Sequence, residues 1–369
     1  MQGVHVMKRP VFVVGCPRSG TTLLYSMLVA AGGFAFYRKE TYLFAVAHRF
    51  PHLDTDRVRA RFAKEFLAGY LGHVPGLDIE PIVRQAIRGC ETPSDFLPRL
   101  MEAVALAQRV ERWVEATPAH VLYLREIKRA VPDALVVHVI RDGRDCALSL
   151  ERQRWLPTCP WDRGAAVAAL YWEWMVRAGQ ASGRLFPQDY LEVRFEDLID
   201  APAETLKRIG LFIDHDLSYD RVVKNPVHSM YVPNTSFGRN ANDFFDPVGR
   251  WRSPLAAADA RSCEGVVGPL LKALGYDVAT PTQHRVRSTM TRAAYINYFR
   301  LKHAAKAHTP LGRLMTSARI WTEQPRADER PVRRIPNVSD RELSGPEGKV
   351  AIRNCARAAR QGGERGGYM

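Results

Sequence analysis

Two short stretches carry residues suited to one kind of chemistry, the gripping of phosphate. The first is Gly15-Cys16-Pro17-Arg18-Ser19-Gly20-Thr21-Thr22, which follows the apolar run Val11–Val14 and precedes a helix-like segment. A glycine-bounded turn opening a helix aims its backbone N–H groups, and the positive end of the helix dipole, at an anion. Gly15 and Gly20 have the spacing of the kinase loop GxxxxGK[ST], but Thr21 stands where the lysine should be, with Thr22 after it. The cation lies inside the loop instead, at Arg18, whose planar guanidinium can fork onto phosphate oxygens. The second stretch is VVHVIRDGRDCALSL, Val136 to Leu150. Arg141 stands at the carboxyl end of an apolar strand, where open α/β sheets bind ligands, and Ser149 lies in the following helix. Two anion sites at two strand ends suit a ligand with two separate phosphates. The plainer alternatives are a tight strand–helix turn with a surface arginine and an ion-paired Arg-Asp turn capping a helix.

The elements that must position these residues alternate. Strand patterns lie at Val11–Gly15, Phe34–Tyr37, Arg112–Glu115, Leu135–Ile140 and Tyr190–Phe195. Helical patterns lie near Thr22–Ala31, Arg57–Leu71, Ala119–Ala130, Arg163–Ala181 and Ala203–Leu211. Alternation of this kind predicts βαβ units. The fold class is therefore α/β: a P-loop-like, three-layer fold with a central, mostly parallel sheet flanked by helices. His138 alternates within the buried strand and reads as structural.

Composition narrows the field. The chain has 369 residues and a net charge of +14, but Arg285–Met369 holds 18 Lys and Arg against 7 Asp and Glu. The body is thus nearly neutral, which argues against a nucleic-acid footprint across it. We expect one domain over residues 1–280 and a basic C-terminal extension over 281–369, helical at about 289–308 and loop or disorder beyond Thr322. No run approaches a membrane span and no signal-peptide pattern opens the chain, so the expected location is cytoplasmic. The six cysteines, at 16, 90, 146, 159, 263 and 355, form no CxxC pair and no cluster with histidine. They read as reduced, structural thiols.

PRSGTT followed by VIRDGRDCALS resembles the sulfotransferases that use 3′-phosphoadenosine 5′-phosphosulfate (PAPS). The resemblance covers roughly residues 10–277. It implies that Pro17, Arg18, Ser19, Gly20, Thr21 and Thr22 form the 5′-phosphosulfate loop, and that Arg141 and Ser149 hold the 3′-phosphate. DYLEVRFEDLI, Asp189 to Ile199, resembles a later family strand, with Phe195 in place of its usual tyrosine. VGRWRSPL, Val248 to Leu255, resembles the C-terminal cofactor segment and offers Gly249, Arg250, Trp251 and Arg252. Adenosine 3′,5′-bisphosphate is already a good leaving group, so the resemblance implies no metal. Charge growing on the bridging oxygen is met by Arg18 and the loop amides.

Sulfuryl transfer to an alcohol needs a base within reach of the acceptor hydroxyl. FAFYRKETYLF resembles the glutamate-base branch of the family, tyrosylprotein and carbohydrate types included, and makes Glu40 the expected base, with His120 in reserve. That branch carries a lysine where this chain has Ala116, in VEATP. That cation is either missing or comes from elsewhere, with Lys39 or Arg239 able to substitute, and Glu115 and Thr117 are candidate acceptor-side contacts. Trp155, Trp161, Tyr171, Trp172 and Trp174 cluster after the second motif, and Tyr171, Trp174 and Ala178 share a helix face. That face lines either the acceptor cleft or the core. The acceptor is a hydroxyl on a carbohydrate, lipid or secondary metabolite. The tail is either a solvated appendage or a weak contact to anionic membrane through Arg292, Arg300 and Lys302. No signal speaks to oligomeric state. Two other readings stay open: a P-loop small-molecule kinase, and a non-catalytic protein that binds PAPS or the bisphosphate.

Overall fold

The computed structural model describes residues 7–37, 40–47, 50, 52–68, 77–153, 156, 164–225, 247–253, 256–279 and 285–309. Strand β1 (Val11–Gly15) leads through a loop into helix α1 (Thr21–Ala31). Then come β2 (Phe34–Ala35), α2 (Leu43–Val46), α3 (Asp56–Ala68), α4 (Ile79–Ala86), α5 (Pro93–Ala107) and β3 (Arg112–Glu115). A 3-10 turn (Pro118–Tyr123) runs into α6 (Leu124–Ala130), followed by β4 (Leu135–Ile140), α7 (Gly143–Gln153) and α8 (Ala165–Gly183). Strand β5 (Tyr190–Arg194), α9 (Phe195–Asp200), α10 (Pro202–Ile213), α11 (Tyr219–Lys224), α12 (Ala257–Ala273) and α13 (Arg285–His308) complete the order.

The five strands form one sheet in the order β2-β3-β1-β4-β5, and every pairing is parallel. The chain moves to one side of β1 for β2 and β3, then to the other for β4 and β5. The carboxyl end of β1 is therefore a switch point, where α/β sheets open a crevice. Side chains of β1 alternate between two cores. Phe12 and Val14 join Trp113, Val136 and Trp172 on one face, while Val11 and Val13 join Leu24, Leu28, Val137 and Ile209 on the other. Helices cover both faces, which makes three layers.

Three elements differ from the sequence pattern. Strand β2 stops at Ala35 because the side-chain amide of Gln108 takes over the edge, accepting from Phe36 N at 2.7 Å and donating to Phe36 O at 2.7 Å. Strand β5 stops at Arg194, and Phe195 opens a helix instead. The helix expected from Ala119 starts as a 3-10 turn after Pro118.

Helix α13 starts before the expected Thr289 and packs on α8. Arg292 donates to both oxygens of buried Glu173, Nε at 2.7 Å and Nη2 at 2.6 Å. Phe299 is buried against Tyr171 and Trp174, with ring centroids 5.3 and 5.7 Å apart. Arg292 is thus committed to an internal ion pair, and the Tyr171–Trp174 face is core. Trp155, Trp161, Cys159, Lys39, Arg239 and residues 310–369 lie outside the described residues. The four described cysteines, Cys16, Cys90, Cys146 and Cys263, are free and buried.

Candidate active site

The loop after β1 is built for close approach. Gly20 has φ 98°, and a Cβ there would lie 2.2 Å from the Phe195 ring. A Cβ on Gly15 would lie 2.5 Å from Val139 O and 2.6 Å from Ser19 Oγ. Only glycine suits either position. Arg18 itself has φ 78°, a left-handed conformation that costs a non-glycine residue about 1–2 kcal/mol. That conformation goes with two contacts across the sheet edge. Arg18 Nε donates to Ser149 Oγ at 2.8 Å, and Arg18 O accepts from Arg141 Nη1 at 3.0 Å. The loop, the end of β4 and helix α7 therefore meet at one point, and the candidates Arg18, Ser149 and Arg141 come together there.

Arg141 is buried, with its guanidinium carbon 4.6 Å from the Phe195 ring centroid. Its carbonyl accepts from Trp172 Nε1 at 3.1 Å and its Nη2 donates to Pro247 O. Burial, together with the like charge of Arg141, lowers the Arg18 guanidinium pKa to about 10, against the opposing pull of Glu40. Arg18 is still a cation at neutral pH. Two buried polar atoms here, Ser19 Oγ and Arg141 Nε, have no partner among the described residues. Buried donors of this kind are normally satisfied. A phosphate-bearing ligand supplies what they lack, and the residues present fit one.

The segment 247–253 docks beside Arg141. Gly249 N and Trp251 N donate to the two oxygens of Asp145 at 2.9 and 3.1 Å. Arg144 lies 3.4 Å from the Trp251 ring centroid and Arg252 lies 4.6 Å from it, so the indole sits among cations. Arg144 is itself held by Asp142 and Glu264 in a buried network. Gly249, Trp251 and Arg252 are thus brought to the cation-rich edge by Asp145, which the sequence pattern did not single out. Its place within Arg-Asp-Gly-Arg-Asp was the available signal.

The acceptor side is assembled differently. Glu40 is half-buried and one of its oxygens accepts from the Tyr42 hydroxyl. Next to it, Thr41 donates from N at 3.2 Å and from Oγ1 at 2.9 Å to Glu115 Oε1. Glu115 also accepts from Thr117 N at 3.1 Å, from the Thr117 hydroxyl, and from His120 Nδ1 at 2.9 Å. Tyr42 N donates to Thr117 Oγ1 at 3.3 Å. Burial would raise the Glu115 carboxyl, but the His120 ring and the hydrogen bonds from His120, Thr117 and Thr41 hold it below the ordinary carboxylate range. Glu115, Thr117 and His120 are all fully buried. They form a bracket beneath the Glu40 loop rather than a surface facing an acceptor. His138 is likewise core: it is wholly buried beside the Tyr190 hydroxyl, and burial lowers its pKa to about 3.

A parallel sheet with a glycine-bounded loop at its switch point and a second cationic strand end defines a P-loop-like α/β protein. Residues 10–221 match the family model described as Sulfotransferase family, and the chain belongs to that family. A protein of Aquifex aeolicus (strain VF5), described only as uncharacterized, is 25% identical over 266 residues. The match covers 67% of this chain and 31% of that protein, so the chain spans about a third of this curated relative's length. Similar solved structures include the sulfotransferase domain of the Synechococcus PCC 7002 olefin synthase, at 17% identity and TM-score 0.44, covering 81% of this chain and 98% of that one. Sulfotransferase STF9 from Mycobacterium avium is 14% identical with TM-score 0.41, covering 74% of this chain and 79% of its own. Family membership favours the sulfotransferase reading over the kinase one.

Proposed function

We propose that the chain transfers a sulfuryl group from PAPS to an acceptor hydroxyl, with Glu40 as general base. The observation that carries this is the meeting of Arg18, Ser149 and Arg141 at one sheet edge, beside the unpartnered Ser19 Oγ and Arg141 Nε. When bound, PAPS supplies the sulfuryl group and leaves as adenosine 3′,5′-bisphosphate. Gly20, Thr21 and Thr22 present backbone N–H groups to the 5′ side and Ser19 its hydroxyl, its own N–H being spent on Cys16 O at 3.0 Å, with Pro17 shaping the turn. Arg18, in the left-handed conformation, faces the same group and meets the charge that grows on the bridging oxygen. Arg141 and Ser149 hold the 3′ side, and Gly249, Arg250, Trp251 and Arg252 close it. Glu40 takes the acceptor proton while the Tyr42 hydroxyl fixes one of its oxygens.

A second reading rests on Ala116, which puts no cation where the glutamate-base branch has lysine. On that reading the chain binds the nucleotide and transfers nothing. Incubation with PAPS labelled in the sulfuryl group, over a panel of phenols, sugars and lipid alcohols, separates the two. Label in any acceptor product supports transfer. Tight binding of the bisphosphate with no labelled product on any acceptor favours the non-catalytic reading.

A further inference from the structure

Asp145 is buried in the first turn of α7, four residues after Arg141 and four before Ser149. Both of its oxygens accept backbone N–H groups from the other side of the site, Gly249 at 2.9 Å and Trp251 at 3.1 Å. Arg141 Nη2 lies 3.8 Å from Asp145 Oδ2 and donates to Pro247 O in the same segment. One carboxylate thus stands between the arginine and the turn that closes over it. The turn also uses a left-handed glycine. Gly249 has φ 72°, and a Cβ there would lie 2.4 Å from Arg252 Nη1. Burial raises the Asp145 carboxyl, and the adjacent Arg141 charge and the two amides pull it back toward the ionised form.

The geometry points to Asp145 as the positioning residue of the cofactor site: it fixes segment 247–253 against Arg141 and so sets selectivity for a 3′-phosphate. This inference rests on the PAPS reading given above. A carboxylate so close to an anion site opposes anion binding by charge alone. Its presence makes sense if the backbone it holds contributes more than its charge costs. Electrostatics and positioning therefore predict opposite signs when the charge is removed. That contrast makes the test sharp.

The experiment is calorimetry of Asp145→Asn with adenosine 3′,5′-bisphosphate and with adenosine 5′-phosphate. The amide keeps the shape but can accept only through one atom, so the second backbone N–H is left unmatched. Loss of a hydrogen bond to a charged group is worth about 1.5–3 kcal/mol, roughly 10- to 100-fold in affinity. We expect that loss for the bisphosphate and little change for adenosine 5′-phosphate, so the ratio of the two affinities falls. Gly249→Ala disturbs the same turn without touching the carboxylate and should lower the ratio in the same direction, which guards against a folding defect in one variant. Trypsin should also cut faster after Arg250 and Arg252 in both variants. Tighter bisphosphate binding by Asp145→Asn, an unchanged ratio, or an equal loss for both ligands would overturn the inference while leaving the cofactor reading intact. Failure of the wild-type chain to bind the bisphosphate would overturn both.

Discussion

The two halves of the site solve opposite problems. At the proposed cofactor edge, two buried polar atoms, Ser19 Oγ and Arg141 Nε, have no partner among the described residues. At the acceptor edge, the carboxylate of Glu115 is saturated by Thr41, Thr117 and His120. An unsatisfied buried donor is costly, so it persists where a ligand removes the cost. A saturated buried carboxylate does the reverse, locking the neighbouring backbone into one arrangement. The difference teaches how a transferase holds its two substrates. The Glu40 loop is tied down through the Glu115 carboxylate, although His120 Nε2 in the same bracket has, like Ser19 Oγ and Arg141 Nε, no partner among the described residues.

The contrast can be broken most forcefully at Glu40. Glu40→Gln should lower turnover by about 10²- to 10⁴-fold, the usual worth of a positioned proton acceptor, with bisphosphate affinity unchanged. Steady-state rates and calorimetry on the same preparation check both halves of that statement. Normal turnover would remove Glu40 as the base. Glu115→Gln comes next and acts on the bracket beneath it. Each hydrogen bond to the buried carboxylate is worth about 1.5–3 kcal/mol, a loss that chemical denaturation reads directly. The sign with pH follows from the lowered Glu115 carboxyl. Its stabilisation is present above the unfolded value of about 4.3 and is lost as pH falls through the lower folded value. The variant should therefore lose the part of the wild-type acid dependence that lies below about pH 4. Arg141→Ala sharpens the comparison from the other side. It should weaken the bisphosphate by roughly 10- to 100-fold, the worth of a charge-assisted hydrogen bond, and adenosine 5′-phosphate far less. Equal loss for both ligands would mean that Arg141 does not read the second phosphate.

How much of this the sequence revealed follows the same division. The cofactor edge is written in contiguous segments. The boundaries of β1, β3 and β4 match the strand segments read from the sequence, and Arg18 and Arg141 each stand within one residue of a local turn signal. The acceptor edge is not contiguous. Thr41 reaches Glu115 across 74 residues and Tyr42 reaches Thr117 across 75, and no local pattern encodes such a pairing. The resemblance points to Glu40, but no local pattern points to the bracket beneath it. Asp145 was missed for the same reason: its partners, Gly249 and Trp251, lie more than 100 residues away. On helix α13 the basic residues divide: Arg292 shares the buried Glu173 carboxylate with Arg177 of α8, while Arg300 is exposed. The pattern of charges along one helix cannot show which of them a neighbouring helix will claim.

The central claim is that the paired cations grip a nucleotide with phosphates at both 5′ and 3′ positions. Calorimetry and thermal unfolding with adenosine 3′,5′-bisphosphate, set against ATP with Mg²⁺, test it most directly. A ligand at about 100 times its dissociation constant adds roughly 2.7 kcal/mol to stability. In a chain of this size each kcal/mol shifts the midpoint by roughly 2–4 °C. The expected result is a shift of several degrees with the bisphosphate and none with ATP–Mg²⁺. A shift with ATP–Mg²⁺ alone would contradict it and make the loop after β1 a kinase loop without its lysine.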